Sequence, residues 1–288
     1  MRRLWFAALL PLTIAMAADR RFTFHDVEGG RVELRENGKP VFVYNAGMQL
    51  APGAPEDRRR CCYVFPAYTP AGVSQLDDFP KDHYHHRGLF WAWNVVEAEG
   101  RRYDPWTLRG PMRAQPGKEL ERKAGDTSAV LAYENTWAIG DKQHVRERVR
   151  MEAKPAQGKQ RTIDFTIDLE AIGQPVTLKG APDQNKGYGG FSARFAPRTG
   201  TRILTPEGEV TKDEDHNPHK WVAYEAVYNG KKAGLRIEID DRKAAAPNEW
   251  CLRLYGFAGV NYPGTKAHVL EPGKPLTLRY RVVLYDLD

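Results

Sequence analysis

The sequence predicts an all-β protein built from many antiparallel strands. Three observations lead there. Apolar and polar residues alternate with a period of two in several segments, most regularly over residues 162–170. Asn37-Gly38 and Asn229-Gly230 stand between apolar runs, where tight hairpin turns need a positive φ. Gly 26 and Pro 20 among 288 residues favour frequent turns over long helices. The length and the 41% hydrophobic content allow one large domain with a sizeable core.

Residues 1–17 read as a signal peptide. Arg2 and Arg3 precede a short apolar run, and Ala15-Met16-Ala17 gives a small-x-small cleavage pattern. The run is too short for a membrane anchor, and nothing later resembles a span. The expectation is an exported mature chain, periplasmic or extracellular, with residues 18–288 as a single domain and no integral membrane insertion. The formal net charge of +6 falls to a mildly basic balance once the leader is removed. No nucleic-acid motif accompanies the basic residues, so nucleic acid is discounted as a partner. An acidic sugar stays compatible with that charge.

Strands are expected at residues 22–27, 31–35 and 39–44, then a loop over 47–60 and a strand over 61–65, stopped by Pro66 and Pro70. Residues 71–80 form a loop leading to a cluster of histidines. Residues 89–96 read as one strand, with Phe90, Ala92 and Asn94 on one face and Leu89, Trp91 and Trp93 on the other. Residues 100–116 read as an exposed connector carrying Trp106. Strands follow at 119–124, 129–137, 143–153 and 161–171. In the last, Ile163, Phe165, Ile167 and Leu169 face a core, while Asp164, Asp168 and Glu170 form a solvated face.

Residues 176–179 read as a short strand. The glycine-rich loop 183–190 lacks the strand–helix context of a phosphate-binding loop. It reads as a turn into strand 191–195. Residues 205–221 read as a polar surface loop. Residues 221–228 and 233–240 form a hairpin, 244–249 a loop and 250–255 a strand. Residues 256–264 read as a glycine-containing connector, and 276–285 as a long strand inside a sheet. Cys61, Cys62 and Cys251 do not make a disulfide framework. On a strand, Cys61 and Cys62 would point to opposite faces. Either one pairs with Cys251, or all three are small buried hydrophobes.

The chain is organised around residues 82–94, DHYHHRGLFWAWN. Histidine is the side chain whose ordinary pKa lies nearest neutrality, and tryptophan offers an apolar face with one polar handle. The candidate catalytic residues are His83, His85, His86, Arg87 and Tyr188. The candidate ligand-binding residues are Trp91, Asn94, Trp106, Lys186, Arg194, His216 and His219. Arg194 alternates with apolar neighbours and so faces a cleft. A structural reading competes, in which the histidines brace a turn. Neither an EF-hand spacing nor a His-Glu-x-x-His signature is present, so no metal and no cofactor is assigned.

The histidine stretch resembles the signature of a bacterial family labelled PmoA family protein, also called the DUF6807 domain family. The resemblance extends to residues 63–72, 78–80, 99–101, 221–234, 254–256 and 278–281. It implies a large antiparallel β-supersandwich similar to the galactose mutarotase-like fold, in which histidines and a carboxylate move protons at a sugar's anomeric centre. The methane-oxygenase label is not carried over, because that enzyme needs several membrane spans. The leading expectation is an exported enzyme acting on a sugar or uronic-acid oligosaccharide by histidine acid/base chemistry, with epimerase, lyase and hydrolase open. The alternatives are a non-catalytic carbohydrate-binding protein, a metal-dependent enzyme joining the His83/His85/His86 and His216/His219 sets, and a structural envelope protein.

Overall fold

A computed structural model describes residues 21–180, 186–240 and 249–288. The proposed signal peptide and all but the last residue of the loop expected at 244–249 lie outside the described residues, and Glu249 opens a strand. The chain begins with β1 (Phe22–Val27), β2 (Arg31–Glu36), β3 (Lys39–Asn45) and β4 (Tyr63–Ala67). Next come β5 (Leu89–Trp93), β6 (Val95–Ala98) and β7 (Arg101–Tyr103). Four long strands follow: β8 (Met112–Ala124), β9 (Ala129–Ile139), β10 (Lys142–Ala153) and β11 (Gln160–Ala171). The remainder comprises β12 (Val176–Lys179), β13 (Gly189–Arg194), β14 (Thr199–Thr205), β15 (Gly208–Val210), β16 (Glu214–Asn217), β17 (Trp221–Tyr228) and β18 (Lys231–Ile239). It closes with β19 (Glu249–Arg253), β20 (Phe257–Asn261), β21 (His268–Leu270) and β22 (Leu276–Asp286).

Two nine-stranded antiparallel sheets carry the architecture. The first runs β1-β2-β3-β4-β5-β13-β20-β19-β16, and the second β15-β14-β17-β18-β22-β11-β10-β9-β8. A four-stranded sheet, β21-β12-β6-β7, accompanies them. The expected all-β, antiparallel class holds. Alternation explains the packing: Ile163, Phe165, Ile167 and Leu169 of β11 are buried, as are Leu89, Trp91 and Trp93 of β5. Aromatic rings join the two sheets. Trp91 and Phe165 meet at 6.5 Å, Phe165 and Phe191 at 5.2 Å, and Phe191 and Tyr280 at 4.7 Å between centroids. A buried ion pair, Arg161 Nη2 to Glu36 Oε2 at 3.1 Å, ties the first sheet's outer hairpin to β11.

Several expectations are corrected. Residues 89–96 are two strands in different sheets. Trp93 pairs with Gly189, whereas Val95 pairs with Lys179, so Asn94 is where the chain changes sheet. Residues 100–116 hold β7 and the start of β8. Pro116 fits within β8 because it lies on the outermost strand of the second sheet, at an irregularity between Gln115 and Lys118. Pro66 lies inside β4. Residues 205–221 contain β15 and β16. The supposed connector 256–264 contains β20, an inner strand whose five residues are all buried. Gly259 and the nearby Pro263 disguised it. Residues 276–286 form an inner strand between β18 and β11, as expected.

Candidate functional site

The site lies on the face of the first sheet that points away from the main core. In β5, β13, β20 and β19, the residues alternating with the core set are Phe90 and Ala92, Ser192 and Arg194, Phe257 and Gly259, and Cys251 and Arg253. Phe90, Ala92, Cys251 and Phe257 form a second apolar cluster with Tyr63 and Trp106, and Tyr188 packs against it. Small residues in adjacent strands leave room for the large rings above them.

The histidine loop turns over this cluster. His83 N–H donates to Pro80 O at 3.0 Å, and His86 N–H donates to His83 O at 2.8 Å. The turn sets four rings in a column from the surface inward. Tyr255 lies over His83 at 5.4 Å with 4° between planes. His83 lies over His86 at 4.7 Å and 3°, and His86 over Phe257 at 5.0 Å and 25°. His85 meets His83 and His86 edge-on, at 5.6 and 4.5 Å. Tyr255 is 43% exposed and the His86 side is 3% exposed, so the column joins solvent to core.

Arg87 holds the loop down. It is fully buried, donating through Nη1 to Tyr84 O (2.7 Å) and His86 O (2.6 Å), and through Nη2 to Arg58 O (2.6 Å). Its Nε lies 3.5 Å from Asp78 Oδ1, and its guanidinium stands 3.4 Å over the Phe79 ring. Tyr63 OH donates to Asp78 Oδ2 at 3.0 Å. The fork of donors suits arginine alone among the cations.

Two arginine–carboxylate pairs flank the column. Arg194 Nη2 reaches both Asp82 oxygens, at 2.9 and 2.8 Å, and Asp82 Oδ2 lies 2.9 Å from His83 Nδ1. Arg194 also stands 4.9 Å from the Tyr255 ring centre. Arg253 Nη2 donates to Asp215 Oδ1 (2.6 Å) and to Tyr188 OH (3.1 Å). The Tyr188 ring stacks on Trp106 at 5.7 Å, and Trp106 in turn meets His86 edge-on at 6.1 Å. Arg194 Nε and Nη1, His86 Nδ1 and Asn261 Oδ1 are buried polar atoms without a partner among the described residues. Such atoms ordinarily mark where a polar group is accommodated.

The electrostatics divide the histidines. Burial, with the nearby Arg60 charge next in size, pushes His85 down to about 3. Burial and the neighbouring His85 and His83 push His86 well below the usual value. Both are neutral near pH 7 and weak as bases, which departs from histidines titrating near neutrality. Burial would raise the Asp82 carboxyl, but hydrogen bonds to His83 and Arg194 outweigh it and hold the group below its usual value. Burial lifts Asp78 to about 6 against the pull of Arg87, and lifts the Tyr188 hydroxyl to about 12.

The structure brings together His83, His85, His86, Arg87, Trp106, Tyr188 and Arg194. Trp91 lies on the opposite face, stacked on Phe191 at 6.2 Å inside the main core. Asn94 is buried at the sheet change. The Lys186 carbonyl accepts from Asn261 Nδ2 at 3.2 Å. His216 Nδ1 lies 2.6 Å from Glu249 Oε2. His219 faces carboxylates at both ring nitrogens, Glu207 at 2.7 Å and Glu214 at 2.8 Å. Asp82, Asp78, Asp215, Arg253 and Tyr255 carry roles that sequence reasoning did not assign. Arg253 was detectable, because it shares strand parity with Cys251 against buried Trp250 and Leu252. Among the described residues, no group of three or more His, Cys, Asp and Glu side chains is arranged to hold a metal ion. Among them, no helix is long and apolar enough to cross a membrane.

Residues 31–288 match a family described as a family of unknown function, DUF6807. No curated protein matches the chain. Among solved structures, a heparan sulfate lyase from Pedobacter heparinus is similar over 90% of this chain, at 12% identity and a TM-score of 0.34. The match covers 30% of the lyase, so the chain spans less than a third of that protein's length. A GalM/aldose epimerase homologue from C. elegans is similar over 93% of this chain and 99% of its own, at 6% identity and a TM-score of 0.37.

Proposed function

This chain belongs to the DUF6807 family, and we propose that it is an exported carbohydrate-active enzyme whose proton-transfer residue is His83. The observation that carries this reading is the series Arg194–Asp82–His83 at the solvent end of the ring column. Asp82 at Nδ1 orients the imidazole and leaves Nε2 as the nitrogen for proton transfer, which is the arrangement a general base needs. His83 has 38% of its side chain exposed, whereas His86 is buried and neutral. Tyr255 and Tyr188 offer ring faces on which a sugar can pack, and Arg194 holds two nitrogens, Nε and Nη1, without a partner among the described residues, as donors for hydroxyl or carboxylate oxygens. The substrate class is a sugar or a uronic-acid oligosaccharide. Arg87 serves the site by fixing the loop, with no exposed donor for ligand.

The test is incubation with a panel of neutral and uronic-acid oligosaccharides, with products followed by mass spectrometry and NMR. Turnover by the natural protein, lost in His83→Asn with binding retained, is the expected result. Turnover unchanged in both His83→Asn and Asp82→Asn sinks the assignment. A second reading, a non-catalytic sugar-binding protein, is favoured by the suppressed basicity of His85 and His86. It prevails if a sugar binds at Tyr255 and no product forms. Export rests on residues 1–17. N-terminal sequencing of protein recovered outside the cytoplasm should begin at or next to Ala18.

A further inference from the structure

Cys61 and Cys62 do not sit on a strand with opposed side chains. Cys62 has a φ of 65°, in the left-handed region, and the chain folds so that the two thiols meet with their Sγ atoms 2.9 Å apart. Cys61 Sγ also lies 3.4 Å from Ala114 O, and Cys62 Sγ 3.8 Å from Gln115 O. Both are buried, at 2% and 5% exposure. Cys251 belongs to the apolar cluster beneath the histidines, and no contact joins its thiol to the pair among the described residues. Both cysteines line a small cavity, of about 30 Å³, together with Arg59, Arg60, Arg113 and Glu147. Arg59 is half-exposed.

The segment is tied to the site at both ends. Arg58 O accepts from Arg87 Nη2, which holds the histidine loop. Arg60 Nη2 donates to Pro105 O (2.7 Å) and Trp106 O (2.8 Å), which hold the tryptophan under Tyr188.

We propose that Cys61 and Cys62 are a redox modification site, oxidised by a low-molecular-weight disulfide to a disulfide between adjacent residues. One protein thiol, as thiolate, attacks a sulfur of the reagent. A mixed disulfide forms, the reagent's S–S bond breaks, and the first reagent thiol leaves. The second protein thiol then attacks the mixed disulfide at the protein sulfur. The Cys61–Cys62 bond forms and the second reagent thiol leaves. The protein loses two electrons and two protons, and the reagent gains them as two thiols. Burial raises the Cys62 thiol well above its usual value, so exchange is slow in the folded protein and the closed state persists once made.

The test uses the whole chain, unfolded and refolded with oxidised glutathione, then alkylated in denaturant without reductant and digested with trypsin. The peptide spanning residues 61–81 should carry no alkyl group and weigh about 2 Da less than its reduced form. Reduction in denaturant should restore two alkylation sites. Cys251→Ala should leave the mass loss unchanged. Two alkylated thiols in that peptide after oxidant treatment, a link to Cys251, or a link between chains each overturns the proposal.

Discussion

The rings of His83 and His86 lie parallel, 3° apart in plane and 4.7 Å apart at their centres. One is at the surface and the other within the core, so the same residue type has two different chemistries within one turn. His83 keeps solvent access and a carboxylate partner, while His86 is stripped of both. A protonated His86 would place a charge in an apolar cluster, and burial forbids that.

The division predicts an unequal mutant series. His83→Asn should lower turnover of any sugar substrate by about 10²-fold or more, the range of positioned acid/base groups. Asp82→Asn should show a smaller loss, since it changes the orientation of His83 and leaves the ring in place. Steady-state rates on the first active oligosaccharide check both, and equal losses would argue against Asp82 acting through His83.

Arg87→Met should destabilise the protein by roughly 3–5 kcal/mol, as expected when one partner of a buried ion pair is removed. It leaves Asp78 without its neighbouring cation and the carbonyls of Tyr84, His86 and Arg58 without their donor. Arg87→Lys should recover only part of this, because one ammonium cannot span the fork. Urea denaturation midpoints provide the measurement.

Asp78 predicts a pH dependence. Its folded value of about 6 lies above the ordinary carboxylate value, so between about pH 4 and pH 6 the folded protein binds more protons than the unfolded chain. The contribution of this group is therefore fully present below about pH 4 and falls as pH rises to about 6. A shift of this size amounts to roughly 3 kcal/mol. Relative to Asp78→Asn, the natural protein should lose stability across that window and hold steady above it. A relative gain of stability with rising pH would contradict the sign.

Gly88→Ala should cost about 1–3 kcal/mol, the range for overpacking. A Cβ there would stand 2.4 Å from Val64 O and 2.9 Å from Phe65 Cβ. The added methyl group would force β4 from β5 directly under the histidine turn. Thermal unfolding with and without ligand would show whether the turn suffers more than the sheet.

The fold was legible wherever one sheet face meets the core and the other meets water. Residues 162–170 of β11 are the clearest case, and their apolar members are buried as expected. Legibility failed where both faces are covered. Strand β20 is buried throughout, so Phe257-Ala258-Gly259-Val260-Asn261 shows no alternation. The site was half legible. Local density of histidines located the loop, but Arg253, Asp215 and Tyr255 come from distant segments and meet only through strand pairing. Trp91 misled because parity within β5 turns it to the core, which the alternation around Phe90 already implied.

The site face is woven from segments far apart in the chain: Ala92 of β5 pairs with Gly190 of β13, and Gly190 pairs with Asn261 of β20. Each pairing closes a long loop before any contact rewards it, which slows assembly. The long hairpins of β8–β11 close short loops and can form early. Refolding should thus be staged, with bulk strand signal recovered first and the ring column last. A spectroscopic probe at Tyr255 would then report when the whole molecule has finished folding rather than how much sheet it contains.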